Sequence, residues 1–387
     1  MNKRLADAQG DTLRACGIDR IETVPDPASL PRSGFPYLVI SDDLYISRTL
    51  LREFLAGAAT TCRLALKDSL VVRESRPLQT LVDGPGWTGY PAWVVHGPDV
   101  DLEDLEAAPP QVIDPREDVR RVEDVPKVFA PDGVMKFAVA ARVAIRLEHW
   151  VHVLRANQLA MLAAMGELKE RPWWRNALAI ASVAIRSFPP NEARVMRALV
   201  RRGRGVKIHP SAVVEASVLG DGARVGANAV VRGSVLGAGA VVAEGAFVEM
   251  SVIGEKAHVT KHVICSFNVL HPGAVIGLGI HQMSVVGRDA FIAGDVRMLD
   301  FKFDGEITVE HRGKIASVGS RFLGCAVGHG AMIGAGVTVQ HGRAIPNGAR
   351  LIGDPGRIAR KFAASEPGDV LVIRDGVAMP LARREAT

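Results

Sequence analysis

The chain has 387 residues, a mass of 41.4 kDa and a formal net charge of +5. That length is too great for one ordinary core, and 48% hydrophobic with 23% charged residues excludes an intrinsically disordered chain. Apolar runs fall short of the roughly 20 residues of a membrane span, and the four scattered cysteines lack the CxxC spacing of a zinc ribbon. We therefore expect a cytoplasmic protein without integral membrane association, and the mild charge does not indicate nucleic-acid binding.

The N-terminal part is predicted to be an α/β domain over residues 1–133. Residues 36–47 form a predicted buried strand that ends in Asp42 and Asp43, and residues 48–58 form a predicted helix. A carboxylate pair at a strand end is either a solvated surface pair or part of a metal site. Both interpretations remain open for Asp43.

An acidic segment is followed by a basic one. Residues 99–132 carry eleven Asp/Glu against four Lys/Arg and several prolines, which predicts a loop-rich linker. Residues 134–205 carry thirteen Lys/Arg against four Asp/Glu, and apolar residues at helical spacing predict helices over 137–168, 173–187 and 191–202. Three interpretations of this basic helical neck remain open: helices with arginine-rich solvated faces, a phosphate-binding face, or an interfacial helix on anionic lipid.

Residues 206–362 contain an internal repeat. The segments that start at Ser217, Ser234, Ser251 and Asn268 are each 17 residues apart, and the next copy, at Ser284, comes after 16. Branched apolar residues recur at intervals of five or six, a period that fits neither an amphipathic helix nor one long strand. It predicts a three-sided parallel β-helix whose short strands each point one side chain inward, at Ile208, Val214, Leu219, Val225, Val231, Leu236, Val242, Val248, Ile253, Val259, Val327, Ile333, Val339, Ile345 and Leu351.

This pattern resembles the hexapeptide-repeat left-handed β-helix family of acyltransferases and sugar-nucleotide enzymes, and the left-handed sense is implied by that resemblance. Residues 345–361, IPNGARLIGDPGRIARK, resemble the "G-N-P-A-K/R-x-I-R" ending of many hexapeptide acyltransferases. Residues 299–336 resemble a segment, "N-L-R-x-D-G-K-x-V-x-V", with its following "T-G-x-R-K-L-G-A-x-I-G", of the bifunctional sugar-1-phosphate nucleotidyltransferase/acetyltransferases that make UDP-N-acetylglucosamine. Residues 363–387 then form a C-terminal tail.

The N-terminal part is similar to the same bifunctional enzymes in pieces. Its strand resembles the family strand that ends in "G-D", which implies Asp43 as a Mg²⁺ ligand. Residues 150–157, WVHVLRAN, resemble "P-W-D-L-L-x-A-N", with His152 at the place of the acidic residue. The family's phosphate-binding "L-A-A-G-x-G-T-R" loop has no counterpart, so we expect a degenerate domain that has lost nucleotidyl transfer.

The resemblance also implies where acyl transfer would occur. An ungapped alignment puts Gln282 at the family's catalytic histidine, with His281 one residue earlier, and the shortened repeat can re-aim a side chain. His281 is therefore either the general base or a solvent-facing coil residue. His209 and His271 are expected to line turns, whereas His329 and His341 are candidates for an inter-subunit groove. Cys265 is expected to be a small buried residue.

The predicted function is acyl-CoA-dependent acyl transfer to a sugar or sugar phosphate, and the alternative is an inactive β-helix scaffold or binding protein. The resemblance implies acetyl-CoA or another acyl-CoA as donor, with Gly334, Gly336 and Arg357 in its site, and a homotrimer as the assembly.

Overall fold

A computed structural model describes residues 4–25, 30, 34–97, 102–130, 132–170, 173–189, 191–367 and 369–381. The last predicted tail residues, 382–387, lie outside this range. The helices in the described residues are α1 (Leu5–Arg14), α2 (Arg48–Gly57), α3 (Leu70–Ser75), α4 (Leu102–Ala107), α5 (Trp150–Glu170), α6 (Trp173–Arg186) and α7 (Glu192–Ala198).

The N-terminal part is built on a mostly antiparallel sheet. Its strands lie in the order Tyr37–Ile40, Trp87–Val95, Cys62–Lys67 and Pro110–Ile113, with Val82–Gly84 also pairing with Trp87–Val95. Two further antiparallel pairs join Leu44–Ile46 to Ala144–Arg146 and Asp118–Val122 to Met135–Val139. Helix α2 buries Leu50, Leu51 and Phe54 in this core, which confirms the helix predicted after residue 47.

Two sequence predictions for this part need correction. The single strand predicted over 36–47 is two strands, because Leu44 N–H bonds back to the carbonyl of Ser41 and turns the chain at Asp42 and Asp43. The helix predicted from residue 137 begins at Trp150, and the preceding apolar run forms two strands whose residues 138–139 and 144–145 are buried. A short run that is buried on all sides has no distinguishing period, so strand and helix look alike in sequence.

Residues 201–351 form a parallel β-helix with three sides. The first side is Arg201–Arg202, Val218–Leu219, Val235–Leu236, Val252–Ile253, Val269–Leu270, Val285–Val286, Ala326–Val327 and Ala344–Ile345. The second side is Lys207–Ile208, Arg224–Val225, Val241–Val242, His258–Val259, Val275–Ile276, Phe291–Ile292, Met332–Ile333 and Arg350–Leu351. The third side is Val213–Glu215, Val230–Arg232, Phe247–Glu249, Ile264–Ser266 and Ile280–Gln282, followed by the pair Arg297–Met298 and Thr338–Val339.

The predicted inward residues all lie in the coil core. The 17-residue period appears directly in the register, where Val218 pairs with Val235 and Val235 with Val252. Every apolar position named from the six-residue period is buried in the coil or packed against its core. Cys265 is fully buried in the same column, as expected, and burial raises the pKa of its thiol to about 11.

A ladder of side-chain acceptors explains why each repeat begins with serine. At the corner between the third and first sides, Oγ of Ser217 accepts the backbone N–H of Ser234, 3.1 Å away, and Oγ of Ser234 accepts that of Ser251 at the same distance. Ser251, Asn268 and Ser284 continue the ladder to Cys325. These side chains are buried, so each acceptor satisfies a donor that would otherwise be costly to bury.

Helix α5 and the excursion 299–324 cover the first side of the coil. Val151 and Leu154 of α5 pack against the outward-pointing Val269 and Val285. The excursion contains the hairpin Thr308–His311 and Lys314–Ser317, whose Val309 joins the same cluster. The second and third sides therefore carry most of the coil's exposed outward apolar residues, and Val218, near the start of the first side, is also exposed.

The coil ends in a 3₁₀ turn, Pro355–Arg357, and the strands Lys361–Phe362, Leu371–Arg374 and Val377–Pro380 form a small final sheet. The structure confirms the predicted fold class, an α/β part and helices followed by a C-terminal parallel β-helix of hexapeptide repeats, with the left-handed sense that the resemblance implies. The domain boundaries at 133, 205 and 362 stay predictions.

Candidate active site on the coil

The structure places His281 inside the coil. It is the middle residue of the strand Ile280–Gln282, pairs in register with Cys265, and has 1% of its surface exposed. Burial lowers the pKa of His281, which keeps the ring neutral. This placement contradicts both sequence interpretations, because a ring enclosed by the coil neither faces solvent nor reaches a molecule bound outside.

A shortened corner accounts for this position. The step from the second-side to the third-side inward residue takes six residues from Val259 to Cys265 and five from Ile276 to His281. The imidazole occupies the corner, with Nε2 3.1 Å from the carbonyl oxygen of Gly277. Gly279, at φ +152°, lies over the ring, and a Cβ there would come within 3.4 Å of Nε2. The histidine thus fills the short corner and satisfies one of its carbonyls.

Gln282, the next residue, follows the inward position and belongs to the outward column of the third side. It pairs in register with Ser266 and is half-buried. Its amide has no basic lone pair at neutral pH and can only donate or accept hydrogen bonds. Gln282 therefore lies on the outer face but cannot take a proton, and its alignment with the family's catalytic histidine stays a prediction.

The predicted acyl-CoA residues lie near the C-terminal end of the coil. The N–H of Gly334 bonds to the carbonyl of Leu351 at 2.8 Å, and Gly336 has φ +72° with nothing near the place of a Cβ. Arg357 follows in the 3₁₀ turn, is mostly exposed, and lies 3.9 Å from Asp354. The roles of Gly334, Gly336 and Arg357 stay predictions.

The residues around Asp43 do not fit a Mg²⁺ ion. Its carboxylate lies 2.7 Å from Nε of Arg146 and accepts a hydrogen bond from Oγ of Ser41 at 2.7 Å. Within the described ranges, no three carboxylate, histidine or cysteine side chains come together as metal ligands. An ion pair already neutralises Asp43, so we derive no step through a metal here.

Two histidines meet at the corner between the first and second sides. The rings of His271 and His329 lie 5.6 Å apart, centroid to centroid, at 77°. His271 is half-buried, and burial lowers its pKa, with further lowering from His329 and Arg288. At neutral pH His271 is therefore an uncharged imidazole with a lone pair, which is the form a general base needs.

The tautomer of His329 follows from its backbone contact. Its Nδ1 accepts the N–H of Arg288 at 2.8 Å, so the proton of the neutral ring is on Nε2. The backbone N–H of His329 donates to Oδ1 of Asn347 at 2.7 Å, which holds the corner between the first and second sides in place. His329 thus presents a donor beside the basic ring of His271.

Sequence reasoning treated these histidines separately and placed His271 in a turn. They are 58 residues apart, and the excursion 299–324 separates their coils. The available signal was the register: His271 follows Leu270 directly, and His329 lies two residues after Val327, on the same side of the coil.

A second histidine group holds the N-terminal part to the excursion. Nδ1 of His152 accepts the backbone N–H groups of Glu148 and His149 at the start of α5, and Nε2 lies 3.0 Å from the carbonyl of Pro77. Nε2 of His149 lies 3.1 Å from the carbonyl of Glu310. Burial lowers the pKa of His152 to about 4. Backbone groups occupy both nitrogens of His152, so its role is structural, and it supplies the acceptor that an aspartate would.

The neighbours of this chain among solved structures include acetyltransferases. The acetyltransferase domain of PglB from Neisseria gonorrhoeae is 25% identical, with 39% of this chain and 55% of that one covered and a TM-score of 0.17. The same domain in complex with acetyl coenzyme A is 21% identical. The match covers 40% of this chain and 54% of that one, with a TM-score of 0.16. The polysialic acid O-acetyltransferase OatWY is 16% identical. The match covers 49% of this chain and 93% of that one, with a TM-score of 0.18.

The alignment with PglB thus spans about half of that domain's chain. No family model and no curated protein matches the sequence. TM-scores this low do not establish a shared overall structure. In the described part of the chain, no helix has the length and hydropathy needed to span a bilayer.

Proposed function

We propose that the protein is an acyl-CoA-dependent acyltransferase that acts on a sugar or sugar phosphate, with His271 as the general base. The observation that carries this proposal is the contact between His271 and His329 on the outside of the coil, 5.6 Å between ring centroids. It provides a neutral base whose neighbour is a fixed donor. The sequence resemblance supports acyl transfer as the chemistry.

The proposed reaction moves one proton and one acyl group. His271 takes the proton of the acceptor hydroxyl or amine as its oxygen or nitrogen attacks the thioester carbonyl. The tetrahedral intermediate collapses, the carbon–sulfur bond breaks, and the CoA thiolate takes the proton back from the imidazolium. The Nε2–H of His329 is available to orient the base or to bind the oxyanion.

An acyl-CoA would lie along the C-terminal coils. The exposed Arg357 offers a cation for a phosphate of CoA. The corner at Gly336 has open space at the Cβ position, which lets a ligand approach the backbone closely. The N–H groups of Gly334 and Gly336 already bond within the coil, so these glycines contribute space rather than donors.

A homotrimer remains our proposal for the assembly. The second and third sides of the coil carry outward apolar residues: Ile264, Leu278, Ile280, Phe291 and Met332. Since helix α5 covers the first side, three copies can meet through the other two. Light scattering should give three chain masses, and a monomer at micromolar concentration would contradict this.

For the N-terminal part, we propose a supporting role without nucleotidyl transfer. Asp43 is neutralised by Arg146. Pyrophosphate release that requires both Mg²⁺ and a sugar phosphate, and that is lost in Asp43→Ala, would contradict this.

The test of the proposed function is CoA thiol release from acetyl-CoA in the presence of a panel of sugars and sugar phosphates. We expect release that depends on the acceptor, and a loss of about 10²–10⁴-fold in kcat/KM for His271→Gln. His209→Gln is the matched control, because that ring is exposed and bonds to Ser211 elsewhere on the coil. Equal losses in both variants would contradict a catalytic His271.

The alternative is a β-helix scaffold or binding protein. It is favoured by one observation: a glutamine occupies the outward position and a buried histidine precedes it. Thermal shift with acetyl-CoA discriminates between the two functions, since a ligand stabilises the native state that binds it. If millimolar acetyl-CoA gives no shift, the scaffold function replaces the enzymatic one.

A further inference from the structure

A cavity with four arginines lies where the helices meet the first coil. It has a volume of about 670 Å³, and its walls are Arg186, Phe188, Arg194, Arg197, Ala198, Val200 and Arg202. Ala198 and Val200 are buried and form the floor. Helix α7 is fixed to the coil because the carbonyl of Met196 accepts the N–H of Ala216 at 2.8 Å. The cavity therefore stands on a rigid base.

Among the described residues, the four arginines of this cavity have no carboxylate within ion-pair distance. Nε of Arg186 donates to the carbonyl of Ser182 at 3.1 Å, and Nη1 of Arg194 donates to that of Pro189 at 3.0 Å. Both contacts leave the guanidinium charge in place. Four cations around one cavity call for a multivalent anion such as a phosphate group.

A rim of two apolar side chains faces solvent at the cavity: Phe188, one of its walls, and Ile185, which directly precedes the wall residue Arg186. Phe188 is 80% exposed and Ile185 is 77% exposed. Trp174 is also exposed and lies on the same face of α6 as Ile185, because eleven residues make three helical turns. Large exposed apolar side chains next to a cluster of arginines are typical of a surface that rests on anionic lipid.

We propose that this surface, the cavity of Arg186, Arg194, Arg197 and Arg202 with the rim of Ile185 and Phe188, binds phosphate headgroups of an anionic bilayer. The arginines hold the headgroup phosphates, and the rim side chains enter the interfacial region beside them. The proposed contact is between arginines and headgroup phosphates at the membrane surface, so it is salt-sensitive. This inference is independent of the acyltransferase proposal, because it rests on a different part of the chain.

The test is sedimentation of the full-length protein with two kinds of vesicle, phosphatidylcholine alone and phosphatidylcholine with phosphatidylglycerol. We expect binding to the anionic vesicles only, and weakening by salt. The double variant Arg194→Gln/Arg197→Gln should lower the partition coefficient about 25-fold, at about 5-fold for each arginine near the surface. Arg297→Gln/Arg350→Gln removes equal charge from exposed coil strands and should bind like the wild type.

A third variant tests the rim. Ile185→Ser should weaken vesicle binding while it leaves the salt dependence unchanged, because it removes apolar contact and no charge. Unchanged binding of Ile185→Ser, or equal losses in the two arginine double variants, would overturn the proposal.

Two other occupants give different results. If inorganic pyrophosphate raises the melting temperature of the wild type but not of Arg194→Gln/Arg197→Gln, and vesicles do not bind, a soluble phosphate compound is the ligand and the membrane proposal is overturned. If the same variant lowers the oligomer mass in light scattering, the surface is an interface between copies, which also overturns it.

Discussion

Oδ1 of Asn268 accepts the backbone N–H of Ser284 at 2.8 Å, in the coil whose repeat is one residue short. In the preceding coils a serine hydroxyl fills this place. The longer amide also donates from Nδ2 to the carbonyl of His281 at 2.5 Å. Asn268 thus connects the two coils at the point where His281 is drawn inward.

We predict that Asn268→Leu lowers the free energy of unfolding by about 2–4 kcal/mol. The substitution keeps the volume but leaves the buried N–H of Ser284 without its acceptor and removes the amide donor from the carbonyl of His281. Asn268→Ser should cost less, because it retains one acceptor of the ladder. Urea unfolding measures both variants. Equal stabilities for Asn268→Leu and the wild type would show that the ladder contributes nothing.

His281→Ala should destabilise the protein by about 2–3 kcal/mol through loss of packing in the short corner. Gln282→Ala, on the outward column, is the matched control and should change stability by less than about 0.5 kcal/mol. Thermal unfolding compares the two. A melting temperature for His281→Ala equal to that of the control would contradict the buried placement.

Stability should fall as the pH drops from 6.5 towards 4, partly because of His152. The folded-state pKa of this ring is about 4 against an ordinary 6.5, so the unfolded chain takes up a proton that the folded chain refuses. The stabilisation is complete above pH 6.5 and declines by about 3 kcal/mol down to pH 4. In urea unfolding, the free energy of unfolding of His152→Gln should fall less steeply with decreasing pH than that of the wild type. His209→Gln should show the same pH dependence as the wild type.

The acid limb of the pH–rate profile should move when Arg288 is replaced. The charge of Arg288 lowers the pKa of His271, so Arg288→Gln raises it and shifts the limb of kcat/KM to higher pH. The backbone N–H that holds His329 is unaffected by this change. Arg224→Gln, an exposed arginine three coils before His271 in the register, should leave the profile unchanged. A limb that moves to lower pH would contradict the assignment of His271.

The coil could be predicted closely from sequence because its period is local. Each inward residue is followed by the next after five or six positions, and the register carries the resulting 17-residue period from Val218 to Val235 without interruption. The sequence shows the serines as the starts of the repeats. Their role as acceptors for a backbone N–H of the next coil can be seen only in the structure.

The candidate site was harder to predict than the coil. The inward position of His281 could not be predicted, because it depends on which corner of the coil is one residue shorter. In the structure the shortened corner is residues 277–279, directly before the strand of His281. His271 and His329 were not paired because the excursion 299–324 separates their coils in sequence.

The cover that helix α5 gives the first side has a consequence for how the chain can be divided. Val252, Val269 and Val285 point outward from the coil, yet each is at most 6% exposed. Cutting the chain ahead of the coil would remove the α5 part of this cover and leave only the excursion 299–324 over Val269 and Val285. We therefore expect a coil produced without the N-terminal part to self-associate through this valine row.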